Sequence, residues 1–153
     1  MRKLCWKNVN LYAAIASTLL LLFSVSPVMA DFDDASVKNK IVIQVSTDDP
    51  TTQKIALNNA VNLQQEFGMD SIRIEVVAYG PGLGLLTQDN QQAARVKSLA
   101  MQNIRFSACG NTMAKVARKT GKQPILVEGV KVVKAGVSRI LELQQQGYAY
   151  IRP

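Results

Sequence analysis

The 153-residue chain has no histidine, two cysteines and one tryptophan, and aromatic residues make up 6% of it. Without imidazole there is no Ser-His-Asp triad, no Cys-His dyad, no His-Glu-x-x-His zinc site and no histidine proton shuttle. Two cysteines cannot build a cysteine-rich zinc site, and no Cys-x-x-Cys pair is present. No metal and no cofactor is expected. The length suits one domain of ordinary size. Cations outnumber anions, 18 to 11, but their placement weakens the case for nucleic acid.

Three of those cations, Arg2, Lys3 and Lys7, open the chain. Leu11 to Val25 is apolar apart from Ser17, Thr18 and Ser24. Val28 and Ala30 then place small residues at the −3 and −1 positions before Asp31. A basic start, an apolar centre and small residues at the cut describe a secretory signal peptide over 1–30. The rival reading is a retained anchor, but the apolar run is shorter than the roughly 17–25 residues needed to span a bilayer. Cys5 precedes the apolar run, so it is not placed like an acylated lipoprotein cysteine and leaves with the signal. Removing thirty residues from 153 leaves 123, and taking three cations from a net charge of +7 leaves +4. The expected mature protein is exported, periplasmic, without a stable membrane span and without a nucleic-acid partner.

Residues 31–39 read as a polar lead-in, and 40–153 as a single domain. Lys40–Ser46, Ile72–Tyr79, Ile104–Ala108, Val130–Val133 and Tyr148–Ile151 are short runs rich in β-branched or aromatic residues, the pattern of buried strands. Between them, Thr51–Phe67, Asn90–Gln102, Gly110–Lys119 and Val137–Gln146 read as helices. Ala56, Ala60, Leu63 and Phe67 form the stripe of the first, with Gly68 as its cap; Ala93, Val96, Ala100 and Met101 form that of the second. Gly80–Gly84 reads as a turn. Alternating strands and helices predict an α/β fold, a three-layer sandwich around a mostly parallel five-stranded sheet. Sites in such sheets lie beyond the carboxyl ends of the strands. That rule selects three loops: Ser46–Pro50, Gly80–Gly84 and Ala108–Thr112.

Cys109 stands at the end of the third strand and the start of a helix. Unpaired helix N–H groups and their partial positive charge favour thiolate, which is the nucleophile. Small neighbours, Ala108 and Gly110, leave room for access. Lys115, Arg118, Lys119 and Lys122 follow, either as a solvated face or as a trap for a small anion such as thiosulfate. A lone cysteine in an oxidising compartment is buried and inert, paired between chains, or reactive. Asn111 and Thr112 can donate to the site or cap their own helix. Gly80, Gly82 and Gly84 suggest a phosphate cradle, but Leu85 stands where a G-x-G-x-x-G fingerprint needs glycine, and a turn beside Cys109 explains them better. Asp48 and Asp49 suit a helix cap. Asn58, Asn59 and Asn62 suit solvent or a subunit interface.

Phe106-Ser-Ala-Cys-Gly-Asn-Thr112, Ile41-Val-Ile-Gln-Val-Ser46, Val77-Ala-Tyr-Gly-Pro-Gly-Leu83 and Leu143-Gln-Gln-Gln-Gly-Tyr-Ala-Tyr-Ile151 together resemble the DsrE/DsrF-like family over roughly Lys40 to Pro153. The resemblance implies an α/β/α sandwich with five parallel strands and assembly into trimers or hexamers. It also implies a sulfur carrier or sulfurtransferase that holds sulfane sulfur as a persulfide on Cys109. Gly110, Asn111, Thr112, Gly80 and Gly82 would surround it, and an external sulfur donor and acceptor would serve it. Without a second cysteine in the mature chain, release by an internal disulfide is impossible. The competing expectations are a non-catalytic periplasmic binding or assembly module, and a redox module acting through an intermolecular disulfide.

Overall fold

The computed structural model describes residues 37–153, so the signal segment and most of the lead-in lie outside the described residues. Five strands carry the fold: β1 (Asn39–Val45), β2 (Ile72–Ala78), β3 (Ile104–Cys109), β4 (Lys131–Val133) and β5 (Ala149–Ile151). All adjacent pairs are parallel, in the order β4-β3-β2-β1-β5. The β1–β2 ladder is the longest, from Asn39 opposite Ile72 to Val45 opposite Ala78.

Connection order decides where the helices lie. The chain steps from β1 to β4 in one direction through α1 (Pro50–Phe67), a 3-10 helix (Gly80–Leu86) with α2 (Ala93–Ala100), and α3 (Gly110–Thr120). Right-handed crossovers put all of these on one face. The return from β4 to β5 runs the opposite way, so α4 (Gly136–Gln145) covers the other face. The two cores follow. The larger joins Ile74, Val76, Ala78, Phe106 and Ala108 of the sheet to Leu57, Leu85, Val96 and their neighbours. The smaller joins Val42 and Val77 to Ile140, Leu143 and Tyr148. Side chains alternate across a strand. Glu75, Val77, Ser107 and Cys109 therefore share the α4 face.

Local chemistry sets the boundaries. Asp49 caps α1, its Oδ2 accepting the Thr52 N–H at 2.7 Å, and Pro50 occupies the first turn, where its missing N–H costs nothing. Gly68, at φ +84°, ends the helix as expected. The Gly80–Gly84 turn is the start of the 3-10 helix, because Leu83, Leu85 and Leu86 all reach the core and pull the segment into tight turns. The second helix is shorter than its composition suggests. Met101 lies just past its end and is 72% exposed, not part of the buried stripe. In α1 the fully buried positions are Ala56, Leu57 and Ala60, while Phe67, the last residue of the helix, is 43% exposed. Among the described residues, no helix is long and apolar enough to cross a membrane.

Candidate site around Cys109

β3 delivers Cys109 to the carboxyl edge of the sheet, where it serves as the residue before α3. Gly110 follows where space is tight: an added Cβ would lie 3.1 Å from the Val133 carbonyl oxygen. The Asn111 N–H is bonded to the Lys134 carbonyl at 3.2 Å, which ties α3 to the loop after β4. The same loop begins α4 at Gly136. That glycine is also closely packed, since a Cβ there would lie 3.0 Å from the Tyr79 ring. The amino ends of α3 and α4 thus converge on one sulfur.

Cys109 is 5% exposed and is the free cysteine of the described residues. Burial pushes its thiol up. Interaction with the Thr112 hydroxyl and with the backbone N–H groups of Gly136, Thr112 and Asn111, the last shared with the Lys134 carbonyl, outweighs that and holds it below the ordinary cysteine value. Thr112 is itself aimed: its Oγ1 accepts the Gly80 N–H at 3.0 Å. These groups are uncharged. The cations Lys115, Arg118, Lys119 and Lys122 are exposed on and after α3. Lys122 instead borders a cleft of about 550 Å³ lined also by Gly80, Pro81, Leu83, Val116 and Ile125.

The expected site residues therefore divide. Cys109, Gly110, Asn111, Thr112 and Gly80 come together. Gly82 is buried against β1, where a Cβ would fall 2.3 Å from the Val45 carbonyl oxygen, so its role is close backbone packing. Asp49 is a cap. Asn58 accepts a hydrogen bond from Arg95 at 2.8 Å. No group of three or more metal-ligating side chains occurs among the described residues.

Two contributors escape a sequence reading. Gly136 belongs to the fourth loop at the carboxyl edge, which the strand-end rule also selects. The other is a buried ionic cluster on the same face. Glu75 is 1% exposed, accepts the Ser107 hydroxyl at 2.7 Å, and takes a two-pronged contact from Arg139, with Nε and Nη2 each at 2.8 Å. Its carboxylate raises the Arg139 guanidinium further. The available signal is one carboxylate inside an apolar parallel strand, which demands a partner.

Fold and site define an α/β sandwich protein with one thiol seated where two helices start. The DsrE/DsrF-like family model matches residues 39–153, and the chain belongs to that family. A solved protein of unknown function from Methanobacterium thermoautotrophicum is similar to it at 38% identity and a TM-score of 0.67, over 75% of this chain and 99% of that one. No curated protein matches the chain significantly.

Proposed function

We propose that the protein is an exported sulfur carrier that holds sulfane sulfur on Cys109. The observation that carries this reading is the seat of Cys109 at the carboxyl edge of the sheet, directly before α3 and beside the loop that opens α4, a polar cradle whose N–H groups and Thr112 hydroxyl hold the thiol below its ordinary value. The family resemblance supports the same chemistry. In loading, the Cys109 thiolate attacks the outer sulfur of a donor persulfide or polysulfide. The donor S–S bond breaks, a new S–S bond forms on Cys109, and the donor leaves as a thiolate. In unloading, an acceptor nucleophile takes the outer sulfur and Cys109 leaves as thiolate. No oxidant is consumed in either step.

Residues 1–30 direct the chain to the periplasm and are removed after Ala30. The mature protein assembles as a homo-oligomer, a trimer or hexamer. Gly80, Gly110, Asn111 and Thr112 form the wall against which the outer sulfur rests, with Gly82 holding that wall to β1.

Intact mass of the protein, purified anaerobically and exposed to polysulfide, tests this reading. Addition of sulfur to the wild type and none to Cys109→Ser supports it. A thiol that takes no sulfur and alkylates only after unfolding overturns it. The 5% exposure of Cys109 favours one second reading, a non-catalytic binding or assembly module. That module keeps its assembly and phenotype when Cys109 becomes serine.

A further inference from the structure

The Glu75–Arg139 pair lies one step down the same face from Cys109. Ser107 and Cys109 are two residues apart on β3, roughly 7 Å along the strand, and Ser107 holds Glu75 Oε1 at 2.7 Å. Glu75 in turn grips Arg139 through both guanidinium prongs. Arg139 is three residues after Gly136, one turn into α4, and its own N–H closes that first turn on the Ala135 carbonyl at 3.0 Å. α4 buries just Gly136, Ile140 and Leu143, and leaves Val137 and Leu141 exposed. Apolar packing near its amino end is thin. The fork is the charged contact that ties that end to β2, beside the Asn111 N–H on the Lys134 carbonyl.

We propose that the Glu75–Arg139 fork, braced by Ser107, is a positioning device that holds the first turn of α4, and with it the Gly136 N–H, beside Cys109. It rests on the sulfur-carrier reading only for its purpose; the geometry concerns the thiolate itself. A strand carboxylate thereby controls the reactivity of a thiol on the next strand through a helix, not through space. Other ionisable groups of the surrounding elements are Lys40 on β1, Arg73 and Tyr79 on and after β2, Arg105 on β3, Lys131 and Lys134 on and after β4, Glu142 on α4, Tyr148 and Tyr150 before and on β5, and Lys115, Arg118 and Lys119 on α3. All remain in the variants below.

The two routes give opposite signs for Glu75→Gln. Removing a negative charge near a thiolate lowers the thiol pKa through space. Loosening the fork withdraws the Gly136 N–H and raises it. The experiment measures the pH midpoint of iodoacetamide alkylation for wild type, Glu75→Gln and Arg139→Lys, with circular dichroism confirming the fold. Arg139→Lys keeps the charge and loses the planar fork. The midpoint is expected to rise in both variants by about one pH unit, the loss of one charge-assisted hydrogen bond. The Gly136 amide resonance is expected to follow the thiol titration in the wild type and to cease following it in Arg139→Lys. A midpoint that falls or stays put in the folded variants, or a Gly136 amide that still follows the titration, overturns the proposal. Should Glu75→Gln fail to fold, Arg139→Lys decides, since that side chain is 24% exposed and its replacement leaves no charge stranded. Failure of the wild type to take up sulfur would sink the carrier reading and leave these midpoints standing.

Discussion

The Thr112 hydroxyl oxygen accepts the Gly80 N–H at 3.0 Å. That contact holds the hydroxyl beside Cys109 with its proton free to donate, and the hydroxyl helps to hold the thiol down. The loop after β2 thus sets the orientation of a side chain on α3, and through it the state of a sulfur on β3. Helix polarity alone would not require Thr112; the interlock does.

Thr112→Val therefore raises the alkylation midpoint of Cys109 by about one pH unit, because a charge-assisted hydrogen bond is lost. Thr112→Ser keeps the hydroxyl and leaves the midpoint within a few tenths of a unit of the wild type. An unchanged midpoint in the valine variant would mean that backbone N–H groups alone hold the thiolate.

Stability depends on pH with a fixed sign. The folded Cys109 thiol lies below its unfolded value. The unfolded chain thus binds more protons in the window between the two, and stability rises with pH there. The contribution is complete above the unfolded cysteine value and is lost as pH falls through the folded one. Urea unfolding of wild type against Cys109→Ser across that window is expected to show the gap widening upward. A gap that narrows with rising pH contradicts the cradle.

Gly82 and Gly84 are expected to behave oppositely. Gly82→Ala drives a Cβ to 2.3 Å from the Val45 carbonyl oxygen, a backbone atom that cannot step aside. It should cost about 1–3 kcal/mol or more, as overpacking does. Gly84 has open space around the same point, so Gly84→Ala should shift stability by less than about 0.5 kcal/mol. Denaturant midpoints of the two variants check the contrast.

The ion pair should break asymmetrically. Arg139→Met strands a carboxylate whose side chain is 2% exposed, whereas Glu75→Gln leaves a guanidinium at 24% that still reaches Glu142 at 3.3 Å. The first should cost about 3–5 kcal/mol and the second clearly less. Equal losses in thermal unfolding would mean that the carboxylate finds another donor.

The strands and their parallel order follow from β-branched runs separated by helical stretches, and Cys109 stands out as a lone thiol at a strand end. What sequence spacing hides is contact over distance. Arg139 is 64 residues from Glu75 and has nothing around it in sequence to mark its partner. Gly136 looks like any glycine between a strand and a helix until Tyr79 closes the space beside it. Met101 and Phe67 fit a helical stripe by period, but Met101 falls just past the end of α2 and Phe67 is the last residue of α1, so Leu99 is buried and both of these are exposed. Gly82 reads as part of a turn beside Cys109, and only the fold shows how closely Val45 packs against it.

The two outermost strands, β4 and β5, have three residues each, against seven in β1 and β2. A sheet border is an open template for a foreign strand, and its hazard grows with the number of free rungs. Here the long hydrophobic strands are shut inside and the borders are stubs, one of them carrying Lys131. The chain can keep an apolar parallel sheet at its centre without offering a seed for cross-β stacking.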